Sequence, residues 1–223
     1  NQIMGAWVGV VSKLRFRKPL LVRCGYELSE FNRLGRVKWW HQLGGLALSF
    51  LSYQLADRIH VSTLDDKKII GKRFRVPQHK IYVQPNWVDT EVFSPSSDQS
   101  KRRNGILFLG RFTDQKNPSL LIDAVSGTNL PLTIVGSGGD ENIIREKINL
   151  EGIEAVIRNN IPNRSLPAFY QQCAVYVICS RYEGNPKTLL EAMSCGCAVI
   201  GTDVKGVREI IDHGKNGILV DQD

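Results

Sequence analysis

The sequence predicts an α/β protein that is built on parallel sheets and divided into two domains. From residue 105 onward, short β-branched runs alternate with helical patterns of about ten residues, which is typical of repeated strand–helix units on a parallel sheet. Residues 1–89 show the same alternation less completely. A chain of 223 residues with 42% hydrophobic content is long and apolar enough to form a globular core.

The second half carries six predicted strands in a regular rhythm. They are residues 106–110, 132–136, 155–158, 175–180, 198–202 and 217–220. The helical patterns between them cover residues 117–126, 140–150, 165–172, 187–195 and 206–212. Six strands in this rhythm predict a doubly wound, Rossmann-like domain at residues 105–223, which we expect to be incomplete at its end.

The first half reads as part of a second domain of the same kind. Strands are predicted at residues 20–24, 58–62 and 80–85, and helices at about 36–56 and 63–72. We assign residues 1–89 to a partial N-terminal domain. A proline-containing, polar run at residues 90–104 is predicted to be a hinge linker. Because residue 1 is Asn and the chain stops after a strand pattern, we expect a fragment.

The basic excess of the chain is confined to the first half. Residues 1–89 contain 15 Lys and Arg against 6 Asp and Glu, whereas residues 90–223 contain 14 against 16. Such asymmetry indicates an anionic partner, either nucleic acid, phospholipid headgroups or a phosphorylated substrate, with solvated surface lysines as the alternative. The stretch RLGRVKWWH at residues 33–41 suits an anionic membrane surface, because Trp39 and Trp40 match interfacial anchors. A core helix with one basic face is the other interpretation.

Five cysteines show neither paired C-x-x-C spacing nor a disulfide framework, which favours a reducing compartment and hence a cytoplasmic protein. Cys195-Gly-Cys197 has no companion His or Cys cluster in the sequence. Packed small residues are therefore favoured there over a metal site or a redox pair.

Three strand–helix junctions carry residues suited to ligand binding, since the carboxyl ends of parallel strands face the free N–H groups of the following helices. In the first junction, Arg111 and Lys116 stand five residues apart on one loop and can converge on an anion. The second, Gly136-Ser-Gly-Gly139, is an incomplete dinucleotide fingerprint and a weak signal. The third is SRYEGNPKTLLE at residues 180–191.

In this third junction, Pro186 suits the first turn of a helix, so that the amides of Lys187 and Thr188 can meet a phosphate. Glu183 precedes the helix and Glu191 lies one turn inside it. Carboxylates repel a phosphate but accept hydrogen bonds from hydroxyl groups, so this pattern predicts a sugar nucleotide. A solvated loop glutamate and a Lys187–Glu191 helix pair remain the alternative.

Three stretches together resemble one enzyme family. EGNPKTLLEAMSCGCAVIGTDVKGVREII, followed by GKNGILV, resembles the Glu-x7-Glu region of the retaining glycosyltransferases of family 4. GRFTDQKN resembles the Gly-Arg loop of that family with its following lysine, and VQPNWVDTEVFSP resembles its interdomain linker. Pro186 and Trp87 stand where the family usually has glycine. The first strands and the final helices of the family have no counterpart in the sequence, so the fragment itself is expected to lack activity.

The resemblance implies a GT-B architecture, in which the C-terminal Rossmann-like domain binds the donor and the N-terminal one faces the acceptor. Carried over by position, it implies catalytic roles for Arg111 and Lys116 on the donor diphosphate and for Glu183 on the transferred sugar. The other implied donor-binding residues are Gly110, Gly184, Asn185, Lys187, Thr188, Glu191 for the ribose, and Asn160 and Ile161 near the base. Tyr26 and Glu27 are acceptor-side candidates, with plain strand-end residues as the alternative.

The function expected from this resemblance is the transfer of a hexose from a UDP- or GDP-sugar to a hydroxyl of a glycan or lipid-linked acceptor, with retention at the anomeric carbon. No cofactor or metal and no nucleic acid are implied. The expected setting is polysaccharide or glycolipid synthesis in the cytoplasm, peripheral to the inner face of the membrane. The alternative is a basic nucleic-acid or lipid-binding module with the α/β half as scaffold. A dinucleotide-dependent oxidoreductase has only the incomplete glycine turn in its favour.

Overall fold

The computed structural model describes residues 5–27, 38–98, 100 and 102–222. The chain forms two compact units, Asn1–Asn86 and Trp87–Asp223. Both units have parallel sheets covered by helices, as the alternating pattern predicted. The assignment of residues 90–104 as a hinge stays a prediction.

The first unit has a three-stranded parallel sheet in the order β1-β2-β3. Its strands are β1 (Leu21–Cys24), β2 (Arg58–Val61) and β3 (Ile81–Val83), and its helices are α1 (Ala6–Phe16), α2 (Trp39–Leu55) and α3 (Leu64–Arg73). The core lies on one face of this sheet, where Tyr53 of α2 is fully buried and packs edge to face on Phe74 at 5.1 Å. Thr63 begins α3 as its N-cap, because its hydroxyl accepts the N–H of Asp66 at 3.0 Å.

The second unit has a six-stranded parallel sheet in the order β6-β5-β4-β7-β8-β9. Its strands are β4 (Ile106–Leu109), β5 (Leu132–Val135), β6 (Ala155–Arg158), β7 (Val175–Ile178), β8 (Ala198–Thr202) and β9 (Ile218–Val220). Its helices are α4 (Pro118–Val125), α5 (Glu141–Leu150), α6 (Leu166–Gln172), α7 (Lys187–Ser194) and α8 (Lys205–Arg208). This is the doubly wound order, and the strand order reverses between β4 and β7.

All six strands predicted in the second half are present, within two residues at each end. The helix predicted at residues 206–212 ends already at Arg208, because the side chain of Asn216 donates to the carbonyl of Ile210 and accepts the N–H of Asp212. These bonds replace those of a continuing helix. In the first half, the strand predicted at residues 80–85 is shorter in the structure, where β3 covers Ile81–Val83. Helix α1 was not predicted. Residues 36 and 37 of the helix predicted at 36–56 lie outside the described residues.

The segment that follows Trp87 packs on α6 and α7 within the second unit. Phe93 is buried and its ring lies 6.1 Å from that of Tyr170. The hydroxyl of Ser194 donates to the carbonyl of Phe93, and the side chain of Gln171 donates to the carbonyl of Ser94 at 2.8 Å. The first part of the predicted linker is therefore anchored to this unit. Across the described residues, every helix is too short or too polar to cross a bilayer.

Candidate functional site

The candidate site lies at the carboxyl ends of β4 and β7, the adjacent strands at which the sheet order reverses. Ligands of open α/β sheets bind in the crevice at such a switch point. The loop after β4 and the loop after β7 are tied together there. The N–H of Arg181 donates to the carbonyl of Gln115 at 2.8 Å, and the side chain of Gln115 donates to the carbonyl of Tyr182 at 3.2 Å.

An ion pair joins the two loops in the candidate site. Lys116 Nζ donates to Glu183 Oε1, and the two side chains are only 18% and 8% exposed. Ser180 Oγ donates to the same Glu183 oxygen at 2.6 Å. Thr202 Oγ1 in turn donates to the carbonyl of Ser180 at 2.6 Å, which ties this loop to β8. The structure therefore brings the predicted cation and the predicted sugar-binding carboxylate into direct contact.

Arg111, the second predicted cation of the β4 loop, is exposed. Its guanidinium Nη2 lies 3.5 Å from Gln115 Oε1, at the long limit of a hydrogen bond. The neighbouring Arg181 donates to Asp114 at 3.1 Å. A guanidinium held this loosely can swing onto an incoming anion and bind it with two parallel N–H groups.

Glycines bring the loops of the site into backbone contact. A Cβ on Gly206 would lie 1.6 Å from the carbonyl oxygen of Gly184, and a Cβ on Gly136 would lie 1.8 Å from that of Gly110. One on Gly138 would lie 2.3 Å from the carbonyl oxygen of Phe112. Only glycine allows these approaches. The turn at residues 136–139 thus packs against the β4 loop, which accounts for Gly136 and Gly138 without a dinucleotide fingerprint.

Helix α7 begins at Lys187 with Pro186 as its N-cap residue, so Pro186 lies one residue before the predicted position in the first turn. The first amides of a helix have no carbonyl partner within it and carry the positive end of its dipole. Thr188 Oγ1 accepts a hydrogen bond of 2.8 Å from the hydroxyl of Tyr176 on β7, which fixes the start of α7 to the sheet. The loop residues Gly184 and Asn185 are half-buried immediately before this helix.

Glu191 lies one turn inside α7 and is 2% exposed. The hydroxyl of Tyr170 on α6 donates to Glu191 Oε2 at 3.1 Å, and Lys187 Nζ lies 3.9 Å from Glu191 Oε1. Burial raises the pKa of Glu191, while the Tyr170 hydrogen bond and the Lys187 charge oppose the rise. The Lys187–Glu191 helix pair, which was the alternative interpretation of the sequence, is thus present. It is a long contact, beside a shorter hydrogen bond from Tyr170.

The remaining predicted positions lie away from the switch point or in the other unit. Asn160, with a left-handed φ of 55°, and Ile161 follow β6, two strands away from β4. The neighbouring Asn159 donates to both carboxylate oxygens of Glu141, at 2.9 and 3.0 Å. In the first unit, Tyr26 and Glu27 follow β1, and Glu27 is fully buried. The roles of these residues stay predictions.

Several side chains that support the site were not predicted. Ser180 could have been named, because a hydroxyl three residues before a loop carboxylate is within reach of it. Gln115 and Tyr170 could not, because their partners are far away in sequence. No group of three potential metal-binding side chains occurs among the residues described here.

A doubly wound sheet with a cation, buried carboxylates and a helix start at its switch point defines a nucleotide-binding type of domain. Residues 89–223, more than half of the chain, match the family model of "Glycosyl transferases group 1". The chain belongs to this family.

Curated relatives cover most of the chain. It is 33% identical over 141 residues to the uncharacterized glycosyltransferase MJ1178 of Methanocaldococcus jannaschii, covering 61% of the chain and 38% of the relative. It is 29% identical over 180 residues to the amylovoran biosynthesis glycosyltransferase AmsD of Erwinia amylovora, covering 78% and 51%. A third relative is the N-acetylgalactosamine-N,N'-diacetylbacillosaminyl-diphospho-undecaprenol 4-alpha-N-acetylgalactosaminyltransferase of Campylobacter jejuni. The identity is 30%, and the match covers 78% of the chain and 49% of the relative. The chain spans about half the length of the curated relatives it matches.

Solved structures agree with the fold. Anabaena Alr3699/HepE, crystallised with UDP and glucose, superposes with a TM-score of 0.83 at 18% identity and covers 99% of this chain and 62% of that one. Sucrose-phosphate synthase of Thermosynechococcus elongatus gives a TM-score of 0.87 at 20% identity, with 100% and 59% covered. Both are GT-B glycosyltransferases, so the predicted fold class is confirmed.

The raised pKa of Glu191 predicts a pH dependence of stability. Between the ordinary glutamate pKa of about 4.3 and the higher folded value, the native protein keeps a proton that the unfolded chain has released. This group therefore favours unfolding increasingly as pH rises through that window. Glu191→Gln removes the charge and can still accept the Tyr170 bond. In urea denaturation, the stability of Glu191→Gln relative to wild type is expected to rise with pH and then level off.

Glu141→Gln is the matched control, because hydrogen bonds from Asn159 and Arg145 lower the pKa of Glu141. Its carboxylate contributes stability above its ordinary pKa, and this contribution is lost as pH falls through the folded pKa. The free energy of unfolding of Glu141→Gln, relative to that of wild type, should therefore fall as pH rises. A Glu191→Gln difference that is flat or falls with pH would contradict the assignment.

Proposed function

We propose that the protein transfers a hexose from a nucleotide diphosphate sugar to a hydroxyl of a glycan or lipid-linked acceptor, with retention at the anomeric carbon. The single observation that carries the proposal is the half-buried contact of Lys116 with Glu183 at the β4–β7 switch point, beside the start of α7. In this contact, a cation that would bind a phosphate lies beside a carboxylate that would accept a hydroxyl group. The resemblance of the Glu-x7-Glu region supports retention.

The donor diphosphate would bind between the β4 loop and α7. An ammonium group has three N–H donors, so Lys116 can keep one on Glu183 and direct another to a phosphate oxygen. Arg111 would add a bidentate contact, and the first amides of α7 would add a partial positive charge. Negative charge grows on the diphosphate as the glycosidic bond breaks, and groups already in place stabilise it. These charges supply what a divalent metal would otherwise provide, so we propose a metal-independent reaction.

The two carboxylates would hold the sugars on either side of the diphosphate. Glu183 Oε1 is occupied by Lys116 and Ser180, which leaves Oε2 to accept a hydroxyl of the transferred hexose. Glu191 would accept the ribose hydroxyls, and Asn160 and Ile161 would lie near the base. Because HepE was crystallised with UDP and glucose, UDP-hexoses are the first donors to test, with GDP-hexoses as the comparison.

The acceptor class is proposed from the curated relatives. AmsD is named for the biosynthesis of amylovoran, and the Campylobacter enzyme is named for a diphospho-undecaprenol substrate. A growing glycan carried on a lipid diphosphate therefore suits this chain as acceptor. We place Tyr26 and Glu27 on the acceptor side.

The first unit offers a surface for such a lipid-linked acceptor. The helices α1 and α2 contact each other and expose large apolar side chains: Trp7, Val8, Val11, Leu14, Trp39, Trp40, Leu43, Phe50 and Leu51. Lys38 lies over the ring of Trp40, 5.2 Å from its centroid. Exposed tryptophan beside cations is typical of helices that lie in the interface of an anionic bilayer. We propose a cytoplasmic protein bound peripherally to the inner face of the membrane.

Replacing Lys116 with alanine tests the donor site. UDP-glucose affinity, measured by calorimetric titration, is expected to fall about 10-fold or more, because hydrogen bonds to charged groups contribute roughly 1.5–3 kcal/mol. Turnover of the full-length protein in a transfer assay is expected to fall about 10²–10³-fold. Lys147→Ala is the control, since Lys147 also forms an ion pair in the same unit, with the exposed Asp123 at 2.6 Å.

Equal donor affinity in both lysine variants would remove Lys116 from the site. Binding that ignores sugar nucleotides and weakens steeply with salt would instead support the basic nucleic-acid or lipid-binding module.

Replacing both Trp39 and Trp40 with alanine tests the membrane proposal. We expect wild type to sediment with vesicles containing phosphatidylserine, less so at high salt, and the double variant to lose most of this binding. Trp87→Ala is the control, because Trp87 is at least as exposed as Trp39 and Trp40 but belongs to the second unit. If the double variant sediments like wild type, these side chains do not contact the membrane.

A further inference from the structure

Two cysteines lie side by side at the amino-terminal ends of β7 and β8. The candidate donor site lies at the opposite, carboxyl ends of the strands. Cys173 follows α6 just before β7, and Cys197 immediately precedes β8. These strands are neighbours, with Val175 paired to Ala198. The two Sγ atoms are 3.5 Å apart. At this Sγ–Sγ distance, rotation of the two side chains would bring the sulfurs to the length of a disulfide bond.

A guanidinium group is held against this sulfur pair. Arg103 Nη1 lies 3.5 Å from Cys197 Sγ and donates to the carbonyl of Tyr170 at 2.8 Å, while its Nη2 donates to the carbonyl of Cys195 at 2.6 Å. The adjacent Cys173 thiol and the Arg103 charge lower the pKa of Cys197, against the effect of burial. A cation beside a thiol favours the reactive thiolate.

A cavity of about 870 Å³ lies beside the pair. Its lining includes Arg103, Gln172 and Gly196, which are the guanidinium partner of Cys197 and the residues directly before the two cysteines. Cys173 and Cys197 themselves are 5% and 8% exposed, so a small part of each residue remains accessible. A peroxide is small enough to occupy this cavity.

Tyr170 connects the thiol pair to the candidate donor site. Its carbonyl accepts from Cys197 Sγ at 2.8 Å and lies 3.5 Å from Cys173 Sγ. Its hydroxyl donates to Glu191. A disulfide would remove both S–H donors from this carbonyl and draw the end of α6 toward β8. The position of the Tyr170 hydroxyl, and with it the orientation of Glu191, would change.

We propose that Cys173 and Cys197 are a redox modification site that forms a reversible disulfide, and that the disulfide weakens donor binding through Tyr170 and Glu191. With hydrogen peroxide, the Cys197 thiolate attacks one oxygen, giving a sulfenic acid, and the released hydroxide takes up a proton to become water. The Cys173 sulfur then attacks the sulfenic sulfur and expels the second water. Two thiols lose two electrons and two protons, peroxide becomes two waters, and a dithiol reverses the change.

The spacing of the cysteines along the chain does not reveal this pair. Cys195 and Cys197 are the close pair in sequence, but the sulfur in contact with Cys197 is that of Cys173, from another element. In a reducing compartment, an intracellular disulfide of this kind is typically a transient, redox-sensing one.

The test oxidises the full chain with hydrogen peroxide in steps, alkylates the remaining thiols and maps the peptides by mass spectrometry. Two of the five free cysteines should be lost together as a Cys173–Cys197 cross-link, restored by dithiothreitol. Cys173→Ser should abolish the cross-link, whereas the control Cys179→Ser, which alters a buried cysteine of a different cluster, should keep it. A cross-link through Cys195, or five intact thiols after peroxide treatment, would overturn the proposal.

The coupling to the donor site rests on the proposed function and has a separate readout. UDP affinity of the fully cross-linked protein should be several-fold weaker than that of the reduced protein, and Cys173→Ser should show no change with peroxide. Equal affinity before and after complete cross-linking would overturn the coupling. A reduced protein that binds no UDP would contradict the proposed function and the coupling with it, whereas the peptide masses judge the disulfide independently.

Discussion

One half-buried ion pair, Lys116 with Glu183, holds the two loops of the candidate site together. Its partners come from loops 67 residues apart in sequence, which meet because the doubly wound order places β4 beside β7. Breaking a buried pair leaves an uncompensated charge, so each partner holds the other in place. Ser180 and the backbone approach of Gly206 to Gly184 add to this constraint. We propose that the geometry that stabilises the loops also serves to bind a sugar diphosphate.

A second constraint concerns Glu191, which is almost fully buried with a raised pKa. A buried carboxylate opposes folding, and groups with shifted pKa values occur more often at functional sites than elsewhere. Here the hydrogen bond from the hydroxyl of Tyr170 offsets part of the free-energy cost of burying Glu191. The carbonyl of the same tyrosine accepts hydrogen bonds from the thiol pair and from Arg103. Tyr170 therefore links the amino-terminal ends of the strands to the Glu191 carboxylate near their carboxyl ends.

Much of the second unit could be predicted from its sequence, because strands buried in a parallel sheet are short apolar runs and their spacing reveals the intervening helices. Arg111, Lys116 and Glu183 were also visible, since they lie on the loops that directly follow these runs. Glu191 was visible because it lies one turn inside the helix that follows such a loop. Contacts between distant elements were not visible. The Tyr170–Glu191 hydrogen bond and the Cys173–Cys197 contact arise only from strand order. Helix α1 escaped prediction because most of its side chains are exposed and give no buried stripe.

A crystal structure of the protein with bound UDP-glucose would test the central claim most directly. The account predicts that Lys116 Nζ lies within about 2.7–3.2 Å of a diphosphate oxygen, as charge-assisted hydrogen bonds require. It also predicts that Glu183 accepts a hexose hydroxyl and remains in contact with Lys116. A diphosphate bound away from the β4–β7 switch point, with the Lys116–Glu183 pair untouched, would contradict the account.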